Sequence, residues 1–423
     1  MPSQKNQSPA ASEAVAKTPN RFRGVLAIIA PGMLVAATGV GAGDLATATF
    51  SGSQLGLAVL WAVVVGGVFK YTLNEGLARW QLATGTTFIE GAVRHLGPAV
   101  GWVFLPYLVL WSFFVGSALM AACGVALHAV LPVFEEAGTG KAVFGVVASA
   151  VGLSLIKLGD FRRFEQLMGF LVGLMVVTVL TTAFFLWPGV GPFFSGLLIP
   201  SIPDADGSGL VWTVALMGGV GGTVTILCYG YWIRERGRSG AEHMRLCRWD
   251  LAAGYGVTVL FGLGMVVIGS SVALEGRGAD LLVRVGEVLQ TRVGTAGKVL
   301  FLGGALAAVF SSLLGVWQAV PYLFADVWYG LRGGSPGLGL GSTLAYRRFQ
   351  WALATVPALG LLASFRQAQL LYAVVGAAFM PLLALALLIL NSRPSLVGGL
   401  RNRGLSVAAL TATLAFFVWA AFS

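Results

Sequence analysis

Two glycine-rich stretches decide how this sequence folds: Thr38-Gly39-Val40-Gly41-Ala42-Gly43-Asp44 and Gly218-Gly219-Val220-Gly221-Gly222-Thr223. Each lies inside an apolar segment long enough to cross a bilayer. Glycine is about 1 kcal/mol less favourable than alanine inside a helix, so such clusters predict interruptions. Non-helical backbone at membrane depth is tolerated only where it is buried in protein or lines a cavity. The pair therefore predicts two broken transmembrane helices that line a common site at the bilayer midplane.

The composition supports a membrane protein. Of the 423 residues, 57% are hydrophobic and 10% are charged, whereas a soluble domain carries about 25% charged residues. The net charge of +10 does not indicate a nucleic-acid partner, because no basic segment interleaved with aromatic residues is present. The expected partners are membrane lipid and a solute. The three cysteines, Cys123, Cys228 and Cys247, have no paired spacing, and we expect them to be reduced.

Eleven segments are apolar and long enough to span, giving an all-α polytopic fold. They are 24–55, 57–80, 100–130, 141–157, 165–187, 210–233, 251–274, 299–328, 349–365, 367–390 and 405–422. The first and sixth contain the glycine stretches. A polar stretch between the second and third, Thr87 to His95, is predicted to lie along the cytoplasmic face.

The distribution of lysine and arginine predicts the orientation. Placing the N-terminus inside puts 20 of the 27 basic residues in cytoplasmic segments and six outside, with Lys70 alone inside a span. We expect an integral protein of a bacterial plasma membrane with its C-terminus outside. Residues 1–22 are predicted to form a disordered cytoplasmic tail.

An odd number of spans suggests five plus five plus one. Residues 23–423 would form a single transmembrane domain in which 24–187 and 210–390 are inverted copies and 405–422 is an extra helix. Each copy then begins with a broken helix, which is the arrangement expected of a transporter built from inverted repeats.

Asp44 is the sharpest candidate for a binding residue. A carboxylate in the middle of a span costs at least about 2.5–3.5 kcal/mol to insert, so it is expected to hold an ion or a proton. A competing interpretation makes Asp44 the N-cap of the second half-helix. The backbone at Gly41, Gly221 and Gly222 would supply carbonyl ligands.

The second stretch adds hydroxyl groups at Thr223 and Thr225. Asp44 and Thr225 are the side chains proposed as metal ligands. One carboxylate with carbonyls and hydroxyls favours a hard cation such as magnesium or manganese.

Other polar residues in the spans have weaker claims. Asn74, Gln318 and Cys228 could line a pathway, although packing between helices explains them equally well. Glu75 and Arg79, four residues apart, are predicted to form an interfacial ion pair. Asp326 is placed near the cytoplasmic boundary.

The sequence shows no sign of an enzyme or of a proton wire. Its three histidines are scattered, no carboxylates are paired, and no phosphate-binding loop is present, which argues against an intramembrane enzyme or an ATP-driven pump. No cofactor is expected. The third span contains no acidic residue, so no chain of titratable groups leads away from Asp44.

The sequence resembles the Nramp (natural resistance-associated macrophage protein) family of divalent metal transporters over about residues 28–390. The resemblance rests on several short motifs in the family's order: Pro31-Gly32 and Leu34-Val35 leading to Gly41-Ala42-Gly43-Asp44-Leu45-Ala46-Thr47, Ala78-Arg79-Trp80-Gln81-Leu82-Ala83-Thr84-Gly85, Ser311-Ser312 with Gly315 and Gln318, Arg347-Arg348 with Pro357-Ala358, and Phe379-Met380-Pro381-Leu382. It implies the LeuT/APC-like fold with an inverted 5+5 repeat, shared with amino-acid transporters.

The departures from the family pattern bear on the cargo. The family's metal-binding aspartate aligns with Gly41 and its asparagine with Asp44, and its Met-Pro-His motif aligns with Thr225-Ile226-Leu227. The acidic residues of its third helix have no counterparts. The pattern is similar to that of Nramp-related magnesium transporters, which also lack the methionine. The resemblance thus implies a divalent cation, magnesium or manganese, carried without the usual proton coupling.

Two alternatives stay open on sequence alone. Gly39-Val40-Gly41-Ala42-Gly43 also resembles the glycine-rich break of amino-acid transporters, in which case Asp44 would bind a substrate ammonium or sodium. A second alternative is a sensor-like homologue that no longer transports. The oligomeric state is not indicated by the sequence.

Overall fold

The computed structural model describes residues 30–159, 161–205, 207–272, 278, 280–334 and 337–422. Within these ranges the chain is helical throughout and contains no strand. Nine helices in the described ranges are long and apolar enough to cross a membrane. The predicted tail, 1–22, lies outside the described residues.

The described part of the first half, from residue 30 on, contains eight α-helices. They are α1 (Ala30–Gly39), α2 (Ala48–Leu55), α3 (Leu60–Thr84), α4 (Phe88–Leu96), α5 (Pro98–Val130), α6 (Ala137–Leu158), α7 (Phe161–Phe185) and α8 (Val190–Leu198). A π-helical segment, Val40–Thr47, joins α1 to α2, and a 3-10 turn, Gly56–Val59, joins α2 to α3. The five predicted spans correspond to α1 with α2, then α3, α5, α6 and α7. The polar stretch at 87–95 is the separate helix α4.

Ten α-helices lie in the described residues of the second half. They are α9 (Ser208–Gly219), α10 (Tyr229–Glu235), α11 (Met244–Ser270), α12 (Leu281–Val293), α13 (Thr295–Leu331), α14 (Leu344–Thr355), α15 (Phe365–Ala377), α16 (Phe379–Leu390), α17 (Pro394–Val397) and α18 (Gly404–Phe422). A 3-10 segment, Val224–Cys228, precedes α10, and another, Val356–Leu362, continues α14. Among the described residues, helical segments lie at the positions of all eleven predicted spans. The nine span-length helices are fewer because one of them, Asp44–Thr84, covers parts of the first two predicted spans and none covers 349–365. The span predicted at 367–390 is divided into α15 and α16.

The side chains sort into a dense interior and an apolar exterior. The largest fully buried side chains include four tryptophans, Trp80, Trp111, Trp232 and Trp317. By contrast, Phe170 and Val177 on α7 are 67% and 63% exposed. Large apolar side chains on the outside of a chain with this composition indicate contact with lipid.

The predicted ion pair between Glu75 and Arg79 is present and joins three helices. Arg79 Nε lies 2.6 Å from Glu75 Oε2, and both residues are buried. Arg248 of α11 donates to Glu75 Oε1 at 2.9 Å, and Arg79 also donates to Ser406 of α18 at 2.8 Å. The pair therefore fixes α3 against α11 and against the last helix. The three cysteines are free, as predicted.

Candidate functional site

The first glycine stretch widens the helix without unwinding it. Residues Val40–Thr47 form a π-helix that continues α1 and leads directly into α2. Asp44 lies in the middle of this segment, while α2 begins at Ala48 after Thr47 with no side-chain cap. Asp44 therefore does not act as the N-cap of the second half-helix. Its carboxylate is free to interact with other elements.

The second glycine stretch breaks the helix fully. After α9 ends at Gly219, Val220 is extended, and Gly221 and Gly222 have φ of +68° and +85°. An L side chain in this left-handed region costs about 1–2 kcal/mol, so glycine is the residue that the turn requires. Thr223 also departs from helical geometry before the 3-10 segment begins. Carbonyl groups around this turn are thereby released from helical hydrogen bonding.

The two breaks touch each other, and Asp44 holds them together. A Cβ at Gly39 would lie 2.4 Å from the carbonyl carbon of Gly221, so only glycine permits this approach. The Gly221 N–H donates to Asp44 Oδ2 at 3.0 Å. Asp44 is fully buried, and its Oδ1 has no hydrogen-bond partner among the described groups. A Cβ built at Gly262 of α11 would lie 3.3 Å from this oxygen.

A lysine occupies the carbonyls of the second break. Lys70 of α3 is fully buried, and its Nζ donates to Gly218 O at 2.6 Å, to Val220 O at 3.2 Å and to Gly222 O. An ammonium has three donors, and here each has a carbonyl partner. The second break therefore binds a positive charge on its carbonyls and a negative charge, Asp44, on an amide. The two charges compensate each other at one turn of backbone.

Helix α13 supports the first break. The Gly41 N–H donates to Ser312 Oγ at 2.7 Å, and Ser312 Oγ donates to Ala37 O at 2.7 Å. Ser311 Oγ donates to the same Ala37 carbonyl at 3.3 Å and to Ala308 O at 2.9 Å. Ser312 thus satisfies a donor and an acceptor where the π-helix departs from regular bonding. This contact places Gly41 against α13 and not against the carbonyls of the second break.

The two threonines of the second break differ in their surroundings. Thr223 Oγ1 accepts from Trp111 Nε1 of α5 at 2.8 Å, and Thr223 is fully buried. Thr225 is 5% exposed, and its Oγ1 is the closest atom to a Cβ built at Gly222. The structure therefore brings together Asp44, Gly221, Gly222 and Thr225.

The residues suggested for a pathway lie at different distances from the breaks. Asn74 Nδ2 donates to Tyr255 OH at 2.5 Å, and Tyr255 packs on Gly221, so Asn74 is one layer behind the second break. Gln318 Oε1 accepts from Trp232 Nε1 at 3.3 Å, which places it beside α10. Cys228 is buried at the end of the 3-10 segment.

Two further buried carboxylates, Asp250 and Asp326, anchor the segments after the second break. Asp250 accepts from Tyr229 OH at 2.9 Å, Arg238 Nη1 at 2.8 Å and the Gly32 N–H at 2.7 Å. Asp326 Oδ2 accepts from Thr87 Oγ1 and Tyr231 OH, both at 2.5 Å. These networks hold α10 to α1, α4, α11 and α13, and their carboxylates are already engaged.

Lys70 is the residue whose role the sequence leaves unexplained. Its partner groups lie 148 to 152 residues away along the chain, so no local pattern identifies them. The available signal is its position, because a basic residue in the middle of an apolar span is usually functional or paired. Glu75, five residues further along the same helix, pairs instead with Arg79 and Arg248.

The donor set suits a cation bound by oxygen. Among the described residues, no group of three or more His, Cys, Asp or Glu side chains is placed to hold a metal. The break instead offers one carboxylate with an unpartnered oxygen and three convergent carbonyls. Carboxylate and carbonyl oxygens are the ligands that magnesium, calcium and manganese prefer.

Residues 32–422 match the model of the family described as natural resistance-associated macrophage protein-like. A divalent metal cation transporter MntH from Acidiphilium cryptum is 25% identical over 412 residues, which is 92% of this chain and 87% of the relative. A relative of the same name from Klebsiella pneumoniae is 24% identical over 57% of each chain.

Solved structures show the same fold. A crystal structure of a manganese transporter variant from Eremococcus coleocola superimposes with a TM-score of 0.76 at 15% identity, covering 95% of this chain and 87% of that chain. MhsT in complex with L-phenylalanine gives a TM-score of 0.65 at 14% identity, covering 94% and 98%. The predicted all-α membrane fold of LeuT type is thereby confirmed.

Proposed function

Because the chain belongs to the natural resistance-associated macrophage protein-like (Nramp) family, we propose that it is a secondary transporter of divalent cations working by alternating access. The curated relatives named as divalent metal cation transporters and the neighbouring structure of a manganese transporter support this. The fold supplies the inverted repeats with discontinuous helices that such transport uses. A transporter also explains why a buried carboxylate, Asp44, and a buried lysine, Lys70, are found at the two helix breaks.

One observation carries the proposal: the second break already binds a cation. Three carbonyls, at Gly218, Val220 and Gly222, converge on the Lys70 ammonium. The Asp44 carboxylate is attached to the same turn through the Gly221 N–H and keeps one oxygen without a partner. The carbonyls that hold the ammonium and the carboxylate on the same turn are oxygen ligands that a metal ion could also use.

The ligand types favour magnesium or manganese as the transported ion. The site contains no thioether or imidazole, since Thr225, Ile226 and Leu227 occupy the positions where the family motif has Met-Pro-His. Soft ligands help to select transition metals against harder cations. We expect Asp44 and Thr225, with the carbonyls of the second break, to form the protein part of the coordination shell. Waters would complete it, because magnesium releases its waters reluctantly.

We also propose that transport proceeds without a dedicated proton relay. Helix α5, the third span, contains no acidic residue, and its histidine, His128, is at the far end of the helix from the breaks. Asp250 and Asp326 are each bound by several donors near α10. A proton leaving Asp44 therefore has no acidic residue on α5 to receive it.

Uptake by proteoliposomes containing the purified protein tests the function. We expect saturable, inwardly directed movement of Mn²⁺ and Mg²⁺, and no internal acidification when an inward Mn²⁺ gradient is applied. Parallel assays with radiolabelled amino acids examine the other cargo that this fold carries. Amino-acid uptake without any cation uptake would replace the proposal with an organic-solute transporter, and uptake of neither would support a non-transporting role.

A further inference from the structure

The Lys70 ammonium is bound by backbone carbonyls of the second break, as a bound cation would be. Its side chain is fully buried, and three carbonyl groups within five residues of one another surround its ammonium. Gly218, Val220 and Gly222 therefore form a cation cradle, and the name is used below for these three carbonyls. Helix α3, which carries Lys70, belongs to neither broken helix.

Electrostatic repulsion makes it unfavourable for the Lys70 ammonium and a divalent cation to occupy the cradle at the same time. Asp44 contributes one negative charge at the break, and Lys70 balances it in a fully buried setting. A divalent cation added beside the ammonium would leave an uncompensated double positive charge away from water, which costs several kcal/mol per ion even after relaxation. The carbonyl oxygens that contact the ammonium are also the ones a metal would need. Only one cation can use the cradle at a time.

We propose that the Lys70 ammonium is a tethered cation that occupies the cradle when the carrier is empty and that competes with the transported cation for it. This inference rests on the proposed function and names how its site is regulated. Binding of the metal requires the ammonium to withdraw from the three carbonyls. The apparent affinity for metal is then lowered by the fraction of carriers in which Lys70 occupies the cradle.

The tethered cation also has a use in the transport cycle. A carrier that delivers a cation must return empty, and an empty site would leave Asp44 buried without a counter-charge. Breaking a buried charge pair by removing one partner typically costs about 3–5 kcal/mol. Lys70 supplies the counter-charge in the empty form. We therefore expect it to weaken cation binding and to speed the return of the empty carrier.

A purely structural role for Lys70 makes the opposite prediction for binding. If the ammonium only satisfied the carbonyls of the turn, its removal would disorder the turn and weaken the binding of metal. A competitor, when removed, leaves the cradle available and strengthens binding. The direction of the change in affinity therefore separates the two roles.

The test uses the full-length protein with Lys70→Met and Lys70→Gln. Methionine removes all donors and the charge, whereas glutamine keeps two donors without the charge and covers the case in which Lys70→Met does not fold. Lys70→Arg retains a cation, and Lys157→Met removes a positive charge near Trp351, outside the site. Calorimetric titration with MnCl₂ and with MgCl₂ gives affinities, and proteoliposomes give net uptake and Mn²⁺–Mn²⁺ exchange separately.

We expect the folded Lys70→Met or Lys70→Gln protein to bind Mn²⁺ at least about tenfold more tightly than wild type. Exchange, which never needs the empty carrier to return, should be retained while net uptake falls. Lys157→Met should behave like wild type, and Lys70→Arg, which keeps a positive charge at the cradle, should not gain the tighter binding. Unchanged or weaker binding by folded Lys70→Met and Lys70→Gln would overturn the proposal.

The outcomes also separate this proposal from the proposed function. If wild type binds and transports Mn²⁺ but the lysine variants bind no more tightly, transport stands and competition by Lys70 is rejected. If wild type does neither while Lys70→Met binds Mn²⁺ in an Asp44-dependent manner, Lys70 is confirmed as the occupant of the cradle and cation transport by the native chain is rejected.

Discussion

The two broken helices look alike in sequence and differ in structure. The first keeps its helical path through a π-segment and contributes a side chain, Asp44. The second unwinds at two left-handed glycines and contributes backbone carbonyls, which Lys70 occupies. Glycine enrichment therefore has two distinct uses here. At Gly39 it allows close approach of two backbones, whereas at Gly221 it permits a dihedral angle that other residues rarely adopt.

This difference assigns separate roles to the two halves. The first break contributes the negative charge of Asp44. The second contributes the carbonyls of the cradle, which bind the positive charge of Lys70. The Gly221 N–H joins them by donating to Asp44. We therefore expect substitutions at the Asp44 charge to weaken cation binding. Substitutions at the contact between the breaks, or at the residues that pack behind them, should mainly lower stability.

Removing the charge of the first break should have the largest effect. Asp44→Asn keeps an oxygen that can accept from the Gly221 N–H but removes the carboxylate charge. A unit charge pair at 4 Å is worth about 4 kcal/mol at an effective dielectric constant of 20. We expect cation binding to weaken at least about 100-fold in calorimetric titrations. Asp280→Asn, at a half-exposed ion pair with Arg284, is the control and should bind normally. Normal binding by Asp44→Asn would remove Asp44 from the site.

Separating the two breaks should mainly reduce stability. A methyl group at Gly39 would lie 2.4 Å from the Gly221 carbonyl carbon and 2.6 Å from the Gly222 nitrogen, so backbone must move. Overpacking of this kind costs about 1–3 kcal/mol. We expect Gly39→Ala to lower the melting temperature of the detergent-solubilised protein and to abolish transport. Gly173→Ala, where no atom lies within 4 Å of the added methyl, should melt like wild type.

The support that α13 gives to the first break can be tested with two adjacent serines. Ser312→Ala removes the side-chain acceptor of the Gly41 N–H and a donor to Ala37 O, and each lost hydrogen bond costs about 0.5–1.5 kcal/mol. Ser311→Ala removes a longer bond to Ala37 O, which Ser312 still contacts, so its effect should be smaller. Thermal melting of both variants measures the difference. Equal destabilisation would show that the π-segment does not depend on Ser312 specifically.

The contact between Trp111 and the second break should have the smallest effect. Trp111→Phe keeps an aromatic ring in the core and removes the hydrogen bond to Thr223 Oγ1. A net loss of about 1 kcal/mol is typical of one such bond. We expect a decrease in melting temperature, to which the cavity left by the smaller ring at this fully buried position also contributes, and an approximately unchanged cation affinity. A large decrease in affinity would show that the Thr223 hydroxyl is a ligand whose orientation Trp111 fixes.

The architecture could be predicted because its signals are local. Runs of apolar residues gave the eleven segments to within several residues, and the glycine stretches at 39–43 and 218–222 marked the two breaks. The position of Asp44 in a span marked it as unusual for the same reason. Each of these inferences uses residues that are neighbours along the chain.

The arrangement of the site could not be predicted because its contacts join distant parts of the chain. Asp44 meets Gly221 across 177 residues, and Gly41 meets Ser312 across 271. Whether a glycine-rich stretch becomes π-helical or unwinds depends on these partners and not on glycine content. The proposed ligands Thr225 and Gly41 and the proposed pathway residue Asn74 stay predictions until a cation is located.

The central claim is that the second break is the cation site and that the Lys70 ammonium occupies this site when no metal ion is bound. The most direct measurement is a crystal structure of Lys70→Met grown with Mn²⁺, with the metal located by anomalous scattering. We predict one Mn²⁺ peak within bonding distance of the Gly218, Val220 and Gly222 carbonyls and of the Asp44 carboxylate. A peak elsewhere in the protein, or no peak with the turn at Gly221 unchanged, would contradict the claim.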